Sequence, residues 1–520
     1  MAFDITYSSM SADDELLNAA FEKAYAAARE RLGRLHGVVV DGEERVDREV
    51  YEEVSPLDHD LVVGRYAQAV NSDVDDAVAA AAAFAPEWED WGWFARRDLM
   101  LRAAHIMERR TSELAALISH EIGKTRLESL ADVAETVEFF RYYSEQVTES
   151  RWYSAEMGAL DDDEVNMSVL RPYGVWAVVA PFNFPMALAA GPAIAALLTG
   201  NVVIIKPSNT GALMAFEFHK IMREAGLPDG ALHVLSGRGA EMGEYLTHHD
   251  GVDGITFTGS YPVGMHLLRT AGAKRPKPVI CEMGGKNPVI VAKTANLDVA
   301  AKGIIRAAFG LSGQKCSAAS RVYIEEGVYD EMVAKLVEET EKLVVGYPLD
   351  RASFMGPVID RGVVARFKKA VEEVERSGGA VLTGGGTLTE GDMARGNFVE
   401  PTIVTAPLDS YVWEEELFMP FLAVTAVAGL DEGLALSNDT ELGLTAGLFS
   451  DDEDEIRRWL DEIEAGVVYV NRAAGATTGA WPGIQSFGGW KGSGSSGTGG
   501  GGPWYLRQYT REQSRTRILR

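Results

Sequence analysis

The chain has 520 residues, 46% hydrophobic and 24% charged, which is room for about three domains and the composition of a globular protein with a large core. Its formal net charge is −28, from 77 acidic residues against 49 basic ones; such a surface repels nucleic acid and anionic lipid, so neither is expected as a partner. Arginine is about twice as frequent as lysine, an acidic, lysine-poor balance like that of proteins from high-salt cytoplasm, where salt screens the carboxylates.

The first residues, Met-Ala-Phe-Asp-Ile-Thr-Tyr, lack the basic and apolar blocks of a signal peptide. Helical patterning covers 12–35, an Ala-rich 73–85, and 97–149. The most membrane-like stretch, 175–205, is broken by Pro181, Asn183, Pro185 and Pro192, so it reads as strand, loop, helix and strand, not as a span. From 174 onward short apolar runs alternate with longer helical ones. Strands are expected at 176–180, 202–206, 232–235, 254–258 and 278–281, and helices at 185–198, 212–225, 240–247 and 263–271. This alternation predicts an α/β fold with a doubly wound parallel sheet, which binds nucleotides at the carboxyl ends of its strands.

After Glu282 a second α/β series begins, with strands at 288–291, 322–324 and 381–382 and a helix at 329–343. Residues 488–502 carry nine glycines in fifteen positions, the composition of a linker. The segment directly follows Gln485-Ser-Phe-Gly-Gly and precedes Pro-Trp-Tyr-Leu, which favours an ordered role. Residues 163–171 and 505–520 read as two arms of a peripheral sheet. The two cysteines, Cys281 and Cys316, form no disulfide framework and suit a reducing compartment, so the expected location is the cytoplasm.

Cys316 lies in a loop of small and polar residues, Ser312-Gly-Gln-Lys-Cys-Ser-Ala, just after a helical stretch. A cysteine is most often a small buried hydrophobe; these neighbours suit a nucleophile, and Lys315 beside it could lower its pKa. Cys281 ends an apolar strand and reads as core. Glu282 follows it and precedes two glycines, which let backbone or ligand approach closely. A thiol and a separate carboxylate suffice for covalent chemistry on a carbonyl: the thiolate attacks, and the carboxylate later activates water. Asn183 fits either a helix N-cap or an oxyanion donor. Lys206 ends a strand where ribose or phosphate would be held, and Gly259-Ser260 opens a helix toward an anion. No metal site is expected.

Taken together, Asn183 in Pro-Phe-Asn-Phe-Pro, Lys206 in Lys-Pro-Ser, Gly259–Gly264, Glu282 in Glu-Met-Gly-Gly-Lys, Cys316 in Gly-Gln-Lys-Cys-Ser-Ala, and Glu416-Leu-Phe418 resemble the aldehyde dehydrogenase superfamily, in family order across about 170–490. The resemblance implies two doubly wound α/β domains and a small oligomerisation flap. The cofactor domain would span 1–150 and 171–282 with a contribution near 470–490, the catalytic domain 283–469, and the flap 151–170 and 491–520. Cys316 would be the nucleophile, Glu282 the general base and Asn183 the oxyanion donor. Lys206 and Glu416 would hold the riboses of NAD and Ser260 its pyrophosphate. Phe418 would lie near the nicotinamide ribose, and Ser208, Gly259 and Gly264 would complete the cofactor set. Met419 stands where the family usually has glycine. Asn209 replaces the glutamate of many NAD-preferring members, which leaves NADP open.

Thr478-Gly-Ala-Trp-Pro-Gly-Ile-Gln-Ser-Phe-Gly-Gly is similar to the branch that oxidises L-glutamate γ-semialdehyde, formed from 1-pyrroline-5-carboxylate, although Ser486 stands where that branch usually has proline. That likeness implies that Gly479 and Ala480 offer amides to the substrate carboxylate, with Ser317 and Phe487 beside them. It implies a homo-oligomer acting on a small molecule. The nearest alternative is another acidic aldehyde such as succinate semialdehyde. A non-catalytic relative would tend to lose the cysteine or the glutamate, and a CoA-acylating one the glutamate.

Overall fold

The computed structural model describes residues 14–149, 153–473 and 481–519. Two seven-stranded sheets dominate. The first runs in the order Val279–Glu282, Gly254–Thr258, Val175–Val179, Val202–Lys206, Leu232–Val234, Val38–Val40, Glu43–Arg45. Its first five strands are parallel, and the last two join antiparallel. Helices such as Ala187–Leu198 and Leu213–Glu224 cross between the parallel strands. The five parallel strands match the expected apolar runs within a residue or two. Val202–Lys206 is buried at every position, as strands covered on both faces are.

The second sheet is ordered Ala380–Thr383, Thr402–Thr405, Phe421–Val427, Ala319–Glu325, Asn287–Val291, Thr445–Phe449, Val467–Val470, and is parallel except for its first strand. Only the loop 283–286 separates the last strand of the first α/β unit from the first of the second. The carboxyl ends of one sheet therefore face residues that lead into the amino ends of the other.

Two expectations are revised, whereas the helical stretch expected at 97–149 is present as three helices, Gly92–Arg109, Thr111–Ile122 and Arg126–Glu149. Gly123 turns left-handed at φ 76° to end the second of them. The helix expected at 240–247 is a wide turn, Gly239–Gly243, followed by the short helix Glu244–His248. A set of N-terminal strands, Arg34–His36, Val50–Ser55 and Asp58–Ala67, forms a further small sheet where only helices were expected nearby.

Thr510–Ile518 pairs antiparallel with Glu164–Pro172, which pairs with Ser154–Met157. Only part of 491–520 joins this sheet. Residues 493–495 bond instead to the end of the first sheet: Met283 N–H donates to the Ser493 carbonyl (2.8 Å), and Cys281 N–H to Ser495 Oγ (2.8 Å). The glycine-rich segment is thus built into the fold. Among the described residues no helix is long and apolar enough to cross a membrane.

Candidate active site

The helix Leu297–Phe309 ends at Gly310, and the chain then makes a left-handed turn through Leu311 (φ 52°), Ser312 (φ 54°) and Gly313 (φ 65°). Non-glycine residues held there cost on the order of 1–3 kcal/mol each and persist only where the surroundings enforce them. Here the Ser312 hydroxyl donates to the Gly356 carbonyl (2.9 Å), and the Gln314 side-chain oxygen accepts from Ile359 N–H (2.8 Å). A Cβ on Gly313 would overlap the Met419 carbonyl, so this loop packs directly on the one carrying Glu416 and Phe418.

The turn delivers Cys316, half-buried, to a cavity. Its carbonyl accepts from Asn287 Nδ2 (2.7 Å), which also donates to Ala318 (2.8 Å); Asn287 Oδ1 accepts from Thr445 N–H (3.0 Å). Asn287 thereby ties two strands of the second sheet, its own and Thr445–Phe449, to the nucleophile loop. Sequence reasoning missed it, although a polar residue opening an apolar strand after Gly-Gly-Lys was the available signal.

Glu282 faces the same cavity, which Ser317, Phe487, Phe139 and Tyr143 also line. Its carboxylate accepts from Gly489 N–H (3.1 Å). Burial pushes the Glu282 carboxyl up to about 8. Burial likewise pushes the Cys316 thiol up to about 12; the charges of Glu416 and Glu282 add to this, and the N–H groups of Ser317 and Cys316 itself oppose it. Asn183 is buried and follows the strand Val175–Val179; its Nδ2 donates to the Gln314 carbonyl (3.0 Å). An amide nitrogen has two N–H donors, and only one is used in this bond, to a residue two positions before Cys316.

The remaining expected residues lie along the carboxyl ends of the first sheet and the facing loop. Strand order reverses between Val175–Val179 and Gly254–Thr258, the place where open α/β sheets bind ligands. Lys206 is buried with no ion pair among the described residues, and burial lowers it to about 8. Ser208 is half-buried, and the buried Asn209 Oδ1 has no partner. Gly259 and Ser260 lead into the helix Tyr261–Thr270, whose start Ser260 does not cap with its side chain. Gly264 serves packing: a Cβ there would overlap the Met283 sulfur. The Glu416 carboxylate accepts from Gly285 N–H (2.9 Å), and burial pushes it up to about 7. A Cβ on Gly284 would overlap it, which explains that glycine. Phe418 takes φ 54° and sets its ring edge-on to Phe182, centroids 5.9 Å apart.

An unpartnered lysine, an uncapped helix start and an orphan amide oxygen in one row fit the phosphates and ribose hydroxyls of a dinucleotide. Gly479 and Ala480 lie outside the described residues; Phe487 and Ser317 do reach the cavity. Cys281, read as core, is fully buried beside Phe257, Leu267 and Met283. Gly489, which holds Glu282, was not singled out; a contact between residues so distant in the chain leaves no local signal.

The arrangement has known counterparts. Residues 43–514 match the model described as "Aldehyde dehydrogenase family". The chain is 37% identical over 494 residues to the 1-pyrroline-5-carboxylate dehydrogenase of Geobacillus sp. strain WCH70, covering 94% of each. It is 38% identical over 495 residues to 1-pyrroline-5-carboxylate dehydrogenase 2 of Bacillus subtilis strain 168, again 94% of each. Among solved structures, 1-pyrroline-5-carboxylate dehydrogenase from Thermus with bound NAD superposes with a TM-score of 0.93 at 33% identity, covering 100% of both chains. The NADP-dependent glyceraldehyde-3-phosphate dehydrogenase from Bacillus halodurans C-125 complexed with NADP gives 0.86 at 30% identity, covering 93% of this chain and 99% of that one. The chain belongs to the aldehyde dehydrogenase family, enzymes that use NAD(P).

Proposed function

We propose that the enzyme oxidises L-glutamate γ-semialdehyde, the ring-opened form of 1-pyrroline-5-carboxylate, to L-glutamate. The observation that carries this reading is the single cavity shared by Cys316, Glu282, Ser317 and Phe487. Relatives bearing the name 1-pyrroline-5-carboxylate dehydrogenase over nearly the full chain support the choice of substrate.

In the reaction the Cys316 thiol gives its proton to the Glu282 carboxylate, which releases it to solvent, and the sulfur adds to the aldehyde carbon. The free N–H of Asn183 and the backbone N–H of Cys316 stabilise the resulting oxyanion. Lys206, Ser208, Ser260, Glu416 and Phe418 would hold the dinucleotide, with Gly259 and Gly264 shaping its groove, and bound NAD would supply the hydride acceptor. Glu282 then takes a proton from water, which attacks the thioester on Cys316 and releases the acid. Gly479, Ala480 and the Ser317 hydroxyl anchor the substrate α-carboxylate through dipoles, so no lone countercharge need be buried.

The test is kcat/KM for L-glutamate γ-semialdehyde against succinate semialdehyde. A preference of at least about tenfold for the former is expected from the added polar contacts; parity or reversal overturns the assignment. The neutral Asn209, which has no carboxylate to repel a 2′-phosphate, leaves room for a second reading of the cofactor, NADP, which the ratio of kcat/KM for the two dinucleotides decides.

We further assign 1–150 and 171–282 to cofactor binding, 283–469 to catalysis, and the three-stranded sheet to assembly of a cytoplasmic homo-oligomer. Exposed Met157, Leu160 and Ile518 on and beside that sheet support the last. Light scattering that finds a monomer would remove it. The acidic surface carries the high-salt reading, for which the expected result is activity retained in molar salt.

A further inference from the structure

Behind the nucleophile loop lies a second cavity, which among the described residues shares only Phe184 with the first. Lys124, Glu128, Arg306, Lys315 and Ser353 line it. Two of these charges are already committed. Lys124 Nζ lies 2.9 Å from Asp132 Oδ2 and 3.7 Å from the centre of the Phe184 ring. The Glu128 carboxylate accepts from Leu311 N–H and from the Thr125 N–H and hydroxyl. Arg306 is exposed at the mouth.

Lys315 differs from both. It is 5% exposed, and its ammonium has neither an ion pair nor a hydrogen bond among the described residues. Ser353 Oγ is also buried without a partner. An unpaired buried ammonium and an unpaired buried hydroxyl are each costly, and a single ligand with two or more acceptor oxygens answers both.

We propose that this cavity is a binding site for a small oxyanion, a carboxylate or phosphate group, held by Lys315 and Ser353 with Arg306 at the entrance. It is separate from the catalytic cavity and from the dinucleotide groove. Its ligand would sit one residue from Cys316, against the left-handed turn that positions the thiol.

The experiment is calorimetric titration of the full-length protein with inorganic phosphate and, separately, with acetate, ionic strength being held constant with chloride. Saturable binding of at least one anion is expected, and the tighter of the two identifies the group. Lys315→Met should weaken that binding at least about tenfold, the loss of a charge-assisted hydrogen bond. Arg306→Gln and Ser353→Ala should weaken it less and serve as the deciding variants if Lys315→Met does not fold. Lys206→Met, in the dinucleotide groove, should leave it unchanged. The proposal is overturned by no saturable binding of either anion, by binding unchanged in the cavity variants, or by binding lost in Lys206→Met.

Discussion

The two thiols of this chain look alike in acidity and differ in everything else. Burial pushes both Cys281 and Cys316 up to about 12. Cys281 packs among Phe257, Leu267 and Met283, and its sulfur's one hydrogen-bond partner among the described residues is the Gly264 carbonyl, 3.8 Å away. Cys316 opens on a cavity that also holds a carboxylate, with Asn183 at its loop. What marks a nucleophile here is therefore access and a proton acceptor within reach, not a thiolate formed in advance. Glu282, pushed up to about 8, is an acceptor that gains charge just above neutral pH.

The sharpest way to break the comparison is to remove one sulfur at a time. Cys316→Ala should abolish dehydrogenase turnover, a loss of at least about 10³-fold, since residues acting as a catalytic unit fail together. Steady-state NADH formation and its initial burst measure it. Next in size, Glu282→Gln should lower kcat by about 10²–10⁴-fold, the range for a general base, and should slow the burst as well, because the same carboxylate takes the thiol proton before acylation. The sign of the pH effect follows from the raised carboxyl: below about 8 it is protonated and cannot accept, above it the carboxylate form dominates. Wild-type kcat should rise through pH 8, and the variant should lose that limb. Asn183→Ala should cost about 10²–10³-fold in kcat, the worth of one oxyanion donor. It also leaves the Gln314 carbonyl without its 3.0 Å donor, so a rescue by Asn183→Gln would separate position from chemistry.

The same contrast governs what could be read from the chain. The five parallel strands of the first sheet were legible because strands buried on both faces are continuous apolar runs, and their polar ends, Lys206 and Glu282, stood out against them. The antiparallel edge was less so, although a signal existed. Val38–Val40 and Glu43–Arg45 are joined by Asp41-Gly42, both at positive φ (49° and 76°), and Asp-Gly between short runs is a strong hairpin signature. The strands Thr402–Thr405, Phe421–Val427, Thr445–Phe449 and Val467–Val470 are less legible, lying in a region of mixed patterning. Contacts that set the chemistry, Gly489 to Glu282 and Asn287 to Cys316, join distant segments and are visible only once the chain is folded.

The smallest effect is the most discriminating. Cys281→Ala removes one buried heavy atom from an apolar cluster and should cost about 1 kcal/mol of stability, in the range of a small core truncation. The strand it occupies is held by its main chain: Cys281 N–H donates to Ser495 Oγ, the Cys281 carbonyl accepts from Ser495 N–H, and Val279–Glu282 pairs in register with Ile255–Thr258. None of these uses the sulfur, so Glu282 keeps its place and kcat should stay within about twofold. Iodoacetamide should label one thiol per chain in the wild type and in Cys281→Ala, and none in Cys316→Ala. If Cys281→Ala instead lost the labelling while Cys316→Ala kept it, the roles of the two thiols would be exchanged. Buried acidity would then have hidden the nucleophile in the core.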